Sequence, residues 1–391
     1  MRLQRRGLLS LIVAVALALG ALAPHQAAAW PRRAGGLPIV DIPLTLDFAG
    51  TAEPAALTVP DNAAGPLPAV LMVAGAGPED LDATICDAAG RMLSRNFAVA
   101  ADAFAADGVA VLRYSKRHVS GPCTTEGPLP DLAQELEDAG TALQTLAADP
   151  LVDPTRIFVY GWSEGSVIAA NLVAQTPGLD GLILQGPVAE DWYDILLRQY
   201  RDVSVPYLRS FTADGDTLTS ASLAAAAQGD GGVVAKSLLT LLVQRGSPPD
   251  QPRFNPGFDP QGTGQVRIDE QLLPELPRVL EQLFAPGGPF RAYAPMLALP
   301  VVYVLAENGQ LSAVPVLIVQ GRLDANVPAG DAVMLAHELR ASGNDDVTLH
   351  VYAGLGHSLG PAASVIDDNF RPIAAQPLDD VRVWLVAHAT N

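Results

Sequence analysis

Three residues far apart in the chain, Ser163, Asp324 and His357, are of the types that together carry out acyl transfer. Ser163 stands in Gly161-Trp162-Ser163-Glu164-Gly165. An apolar run before it, Arg156 to Tyr160, reads as a buried strand, and Ser166 to Val173 after it reads as a helix. A serine with glycines two residues to either side, between strand and helix, is the context of a nucleophile elbow, in which a tight, strained turn pushes the hydroxyl outward. Read alone, the pentapeptide is also compatible with an ordinary turn and a capping serine. A serine nucleophile needs a base, an acid to orient the base, and donors for the oxyanion.

In parallel sheets, chemistry collects in the loops after the carboxyl ends of strands, so each partner should follow a strand. His357 lies in a glycine-rich loop five residues beyond Tyr352, which ends the apolar run Val347 to Tyr352. An ionisation near the usual histidine value of about 6.5 is expected of it. His350 sits inside that strand pattern, His337 on a helix and His388 near the terminus; the last two read as solvated. His118 also follows a strand and is the outside candidate. Asp324 follows the strand ending at Gln320, where a carboxylate could fix the tautomer of His357 and stabilise its imidazolium. Asp331 suits a helix N-cap better, because a helical pattern starts directly after it. The oxyanion donors are expected to be the backbone N–H of Glu164, next to the nucleophile, and that of Ala76, with Gly75 adjacent, in the small-residue loop after the strand Pro68 to Val73. Trp162, Trp192 and Tyr193 are the expected substrate-binding side chains.

The elements that must position these residues alternate. Pro38 to Pro60 reads as an antiparallel strand pair, and Pro68–Val73, Val109–Tyr114, Ile157–Tyr160, Leu182–Gln185, Val314–Gln320 and Val347–Tyr352 as sheet strands. Helical patterns cover Met92–Asp107, Asp131–Ala148, Ala332–Ser342 and Leu378–His388. This is the α/β pattern of a doubly wound, mostly parallel sheet. The alternation stops after Gln185 and resumes at Val314, so the expected organisation is a core in two parts, 30–185 and 310–391, with a mainly helical cap inserted at 186–309.

Residues 1–29 read as a secretory signal peptide: Arg2, Arg5 and Arg6 precede an apolar run from Leu8 to Ala23, and Ala27-Ala28-Ala29 offers a cleavage site. The run falls short of the roughly 20 residues of a spanning helix, so a secreted or periplasmic protein without stable membrane association is expected. The net charge of −18 argues against nucleic acid as a partner, and removing the leader makes the chain three charges more negative. Export bears on the two cysteines, Cys86 and Cys123. In an oxidising compartment they read as a disulfide, with two separate thiols the alternative. The spacing suggests no structural metal, and no cofactor is implied.

Four stretches together resemble the bacterial α/β-hydrolases of the serine-aminopeptidase-like, dienelactone-hydrolase-related esterase group. Val73 to Asp82 is similar to V-H-G-S-G-P-x-D-R-D, and Val111 to Arg117 to V-L-R-Y-D-K-R. Gly161 to Gly165 is similar to G-H-S-E-G, and Pro315 to His357 to a block with P-V-L, G-x-x-D-x-x-V-P and G-x-x-H. The resemblance implies Ser163 as nucleophile, Asp324 as acid, His357 as base, and acyl esters as substrates. Ala74 and Trp162 replace two histidines of the family pattern, and Ser115 an aspartate. A peptidase or amidase of the same fold, or a binding protein on a hydrolase scaffold, are the alternatives to an esterase. The natural substrate and the oligomeric state are not legible.

Overall fold

The computed structural model describes residues 37–63, 65–87, 90–288, 290–294 and 299–390; the expected signal peptide, 1–29, lies outside them. Eight strands form the central sheet: β1 (Ile39–Phe48), β2 (Thr51–Pro60), β3 (Leu67–Val73), β4 (Ala110–Tyr114), β5 (Val152–Trp162), β6 (Gly181–Gln185), β7 (Val316–Gly321) and β8 (Val347–Tyr352). Their order across the sheet is β1-β2-β4-β3-β5-β6-β7-β8. β1–β2 pair antiparallel, as the alternating pattern of Pro38 to Pro60 suggests; β2–β4 also pair antiparallel, and all other neighbours are parallel.

The sheet is covered on both faces, which is why its central strands are apolar without alternation. Successive side chains still point to opposite faces. Ile157 and Val159 of β5 join one apolar cluster with Leu71, Val73, Val316 and Ile318. Phe158, Tyr160 and Trp162 join a second with Val70, Met72, Leu317 and Val319. Helices α2 (Leu132–Ala148), α3 (Glu164–Gln175) and α4 (Ala329–Ala341) contribute buried side chains to the first cluster. Helices α1 (Asn96–Ala106) and α5 (Ala375–Ala389) contribute to the second. Each fully buried Val, Leu or Phe stabilises the sandwich by about 1.5–3 kcal/mol.

Two local readings need correction. Met92 to Arg95 is not helical. It is a strand paired antiparallel with Thr84–Cys86, and α1 starts only at Asn96. Long-range pairing overrides the helical pattern there. Asp331 does not cap α4, whose N-cap position is Pro328. Its carboxylate lies in the first turn and pairs with Arg198 at 2.9 Å.

Between β6 and β7 the chain is mainly helical, with a small antiparallel pair of the distant strands Thr217–Thr219 and Gln265–Arg267. This region has an apolar cluster of its own, including Tyr200, Leu208, Leu223, Leu242, Leu276 and Leu280. Trp192 and Tyr293 pack against both this cluster and the first core cluster. The helix Val302–Glu307 returns to the core, where Val302, Leu305 and Ala306 are buried.

Candidate active site

Ser163 is the N-cap residue of α3 and has φ 55° and ψ −123°, a left-handed backbone that a residue with a Cβ adopts only under constraint. The constraint is visible at the flanking glycines. A Cβ on Gly161 would lie 2.3 Å from the carbonyl oxygen of Gly165, and one on Gly165 would lie 2.2 Å from that of Val73. Only glycine permits so close a passage of β5, α3 and β3. The Ser163 N–H donates to the carbonyl of Gln185 at 2.9 Å, which ties the elbow to the end of β6.

Asp324 and His357 meet directly. His357 Nδ1 is 2.7 Å from Asp324 Oδ2, and both residues are buried. Because a carboxylate only accepts, the ring proton of a neutral imidazole belongs on Nδ1, leaving Nε2 as the acceptor. Asp324 is held in turn: Gln320 Nε2 donates to Oδ2, and the N–H groups of Asn326 and Val327 to Oδ1, all at 2.8 Å. Burial works against the imidazolium of His357. The charge and hydrogen bond of Asp324 and the charge of Asp368 outweigh it, so the pKa stands above the ordinary histidine value rather than at it.

The elbow and this pair are neighbours through Gly186, directly after β6. A Cβ there would lie 3.0 Å from His357 Nδ1 and 3.4 Å from Asp324 Oδ2. Gln185 links them again, since its side-chain amide donates to the His357 carbonyl at 3.3 Å while its own carbonyl holds Ser163. Among the described residues no hydrogen bond joins the Ser163 hydroxyl to His357. Such contacts are often long without substrate and tighten when it binds. The loop after β3 passes beside the serine: a Cβ on Gly75 would lie 3.2 Å from that of Ser163. Ala76 is exposed, and Glu164 opens α3, where a backbone N–H has no partner within the helix.

The other sequence candidates are placed differently. Trp162 alternates with Ser163 toward the second cluster; it is buried, and its ring packs 5.8 Å from that of His357. It supports the imidazole from beneath. The Trp192 ring lies 4.7 Å from that of Tyr293, whose hydroxyl donates to Glu164 at 2.7 Å. Tyr193 faces the helix Leu273–Phe284, with its ring against Phe284 and its hydroxyl 3.4 Å from the Pro277 carbonyl. His118 packs on Gly127, His350 stacks on Tyr352 in the edge strand β8, and His337 is exposed. His388 is not free in solvent, as it stacks on Trp384 at 4.1 Å. Cys86 and Cys123 form a disulfide.

Sequence reasoning missed a buried polar layer behind the elbow. Lys116 Nζ donates to Glu135 and to Glu164, both at 2.9 Å. Burial works against the Lys116 charge, but the two carboxylates outweigh it and hold its pKa above the lysine range. Burial pushes Glu79, in the loop after β3, up to about 8. Lys116 stands at the lysine of the stretch similar to V-L-R-Y-D-K-R, and Glu79 at a variable position of the first stretch, but nothing in the sequence marks Glu135 as their partner. Gln185 and Gln320 left one signal, a polar residue closing an otherwise apolar strand run.

Comparison with known proteins agrees with this fold. A family model described as serine aminopeptidase, S33, matches residues 89–224, and one for the prolyl oligopeptidase family matches residues 294–375. Esterase EstD of Thermotoga maritima is 30% identical over 151 residues, covering 38% of this chain and 33% of the relative, so the chain spans about a third of that protein's length. Among solved structures, a brefeldin A esterase, itself described as a bacterial homologue of human hormone-sensitive lipase, superposes with a TM-score of 0.50. It is 17% identical, over 97% of this chain and 82% of that one. A bacterial heroin esterase gives 0.50 at 16% identity, over 90% and 84%.

The chain has the α/β-hydrolase fold. At such identities the structural likeness speaks to the fold alone. Within this fold the parallel strands β5, β6, β7 and β8 put the loops that carry Ser163, Asp324 and His357 at one edge of the sheet.

Proposed function

We propose that this α/β-hydrolase is an exported serine hydrolase that cleaves small carboxylic esters of short or medium acyl chain. The reading rests on one observation: a serine held at positive φ on an elbow, beside a buried Asp324–His357 pair. The likeness to an esterase over part of the chain supports it. In the proposed reaction, Ser163 Oγ attacks the ester carbonyl while His357 Nε2 takes its proton. Asp324 keeps the imidazole in the required tautomer and stabilises the imidazolium. The N–H groups of Glu164 and Ala76 receive the oxyanion, and His357 returns the proton to the leaving alcohol. Water, activated by the same base, then releases the acyl group from Ser163.

The test is Ser163→Ala, measured on a panel of esters of graded chain length, with fluorophosphonate labelling of the wild type. Loss of a nucleophile lowers kcat on the order of 10⁶-fold. Retention of more than about one per cent of activity, against that scale, would sink the assignment. Absence of labelling together with absence of turnover would favour a binding protein on this scaffold. A second reading, peptidase or amidase, is favoured by the two peptidase family models. It predicts that aminoacyl anilides are cleaved with higher kcat/KM than the matched esters. Export is proposed from the basic and apolar N-terminus, and the disulfide is compatible with it. N-terminal sequencing of protein from the periplasm or medium should begin at Trp30.

A further inference from the structure

Asp368 lies in the irregular segment between β8 and α5, eleven residues past His357, and is buried. One oxygen, Oδ2, accepts from the backbone N–H of His357 at 2.9 Å and from that of Ala325 at 3.0 Å. Ala325 directly follows Asp324. A single carboxylate oxygen thus clasps the loop that carries the base to the loop that carries the acid. The seat is tight, since a Cβ on Gly356 would lie 2.0 Å from Asp368 Oδ1. The segment around Asp368 is itself held by the inserted region: the Gly232 N–H donates to the Ile366 carbonyl at 2.8 Å, and Val365 and Ile366 pack against the inserted region's apolar cluster.

We infer that Asp368 is a positioning residue of this site, bracing the His357 and Asp324 loops through their backbone amides and adding a second negative charge that favours the His357 imidazolium. The inference rests on the proposed roles of Asp324 and His357. Geometry gives the carboxylate both tasks. Two N–H donors converging on one buried oxygen form charge-assisted bonds stronger than neutral ones. The 2.7 Å contact of His357 Nδ1 with Asp324 depends on keeping the two loops in register. The charged groups facing Asp368 are Asp324 and His357 from the neighbouring loops, and Arg371, itself paired with Asp367, on its own segment. Burial and the Asp324 charge raise the Asp368 carboxyl to about 6, against the Ala325 N–H, the His357 charge and the His357 N–H. Both backbone N–H groups and the His357 charge favour its ionised form.

Two variants separate brace from charge. In Asp368→Asn, an amide oxygen can still accept both N–H groups but the charge is gone. Asp368→Ala removes the acceptor as well. The readouts are kcat and KM on the preferred ester, thermal melting, and the titration of His357 followed by NMR with carbon-labelled histidine, assigned by comparison with His357→Ala. Asp368→Asn should melt close to the wild type and titrate His357 at lower pH, with kcat reduced about tenfold and KM little changed. Asp368→Ala should lose about 10²-fold in kcat, the scale set by a misplacement of roughly 1 Å. An unchanged His357 midpoint and unchanged kcat in Asp368→Asn would overturn the inference. So would a loss of melting temperature in both variants without movement of the His357 midpoint. If Asp368→Ala does not fold, Asp368→Asn decides alone. If the wild type turns over no ester, the proposed function fails, and the His357 titration still decides whether Asp368 acts on the imidazole.

Discussion

His357 is buried beneath the elbow with a carboxylate on its Nδ1 and a second one below its backbone. These charges raise its pKa, so the neutral, base-competent form dominates only at higher pH than for an ordinary histidine. The ascending limb of kcat/KM should therefore lie above about 6.5. Asp324→Asn should move it to lower pH and cut kcat on the order of 10⁴-fold, because the tautomer is no longer fixed. A limb at or below the ordinary value in the wild type would contradict this account. A second prediction concerns Glu79, which burial pushes up to about 8. A carboxyl raised above its unfolded value of about 4.3 contributes stability below that pH and loses it as pH rises toward about 8. Its Oε2 is buried without a hydrogen-bond partner. Glu79→Gln should accordingly show a smaller fall in melting temperature between pH 5 and 9 than the wild type, as read by thermal melts. An equal fall in both proteins would count against a buried carboxyl that has to ionise.

The elbow and the loop facing it are the elements on which the proposed chemistry depends, and the disulfide tethers the second. Cys86 ends the strand Thr84–Cys86 that follows the proposed oxyanion loop, and Cys123 lies in the loop after β4. Closing a loop of this length stabilises by roughly 3–4 kcal/mol in the chain-entropy model. Replacing both cysteines by serine should lower the melting temperature and reduce kcat more than it raises KM, since the proposed Ala76 donor belongs to the tethered loop. A variant with wild-type melting and kcat would deny the tether either role. The strands around these loops were legible because a buried parallel strand has to be a continuous apolar run. The elbow was legible because no side chain larger than hydrogen fits at Gly161 or Gly165. Met92–Arg95 was not, because only its partner strand makes it extended. Asp368 was not, because its meaning lies in two N–H groups from distant loops, and an aspartate in an irregular segment advertises neither.

At the scale of the molecule, the question is what the inserted region does to a reaction whose proposed parts all lie outside it. It has its own apolar cluster and meets the core through Trp192 and Tyr293. Tyr293 reaches Glu164, the residue after the proposed nucleophile, and Trp192 lies on Tyr293. Tyr200 and Tyr193 are committed elsewhere, Tyr200 inside the inserted region's own cluster and Tyr193 against Phe284. Trp192, at the seam of both clusters and packed against the tyrosine that reaches Glu164, is therefore the side chain expected to bear on substrates near the proposed nucleophile. If the indole limits acyl length, truncating it to alanine opens space for a longer chain. The difference of one methylene in an apolar pocket is worth about 1–3 kcal/mol in discrimination. Trp192→Ala should shift relative kcat/KM across an acyl-chain series by roughly tenfold or more per step on that scale, while the rate on the acetyl ester changes little. Tyr293→Phe is the companion measurement. It keeps the ring under Trp192 but removes the hydrogen bond to Glu164, so it should lower kcat on every chain length alike. If Trp192→Ala depressed all esters uniformly, or changed none, the insertion would not be selecting acyl chains through this contact.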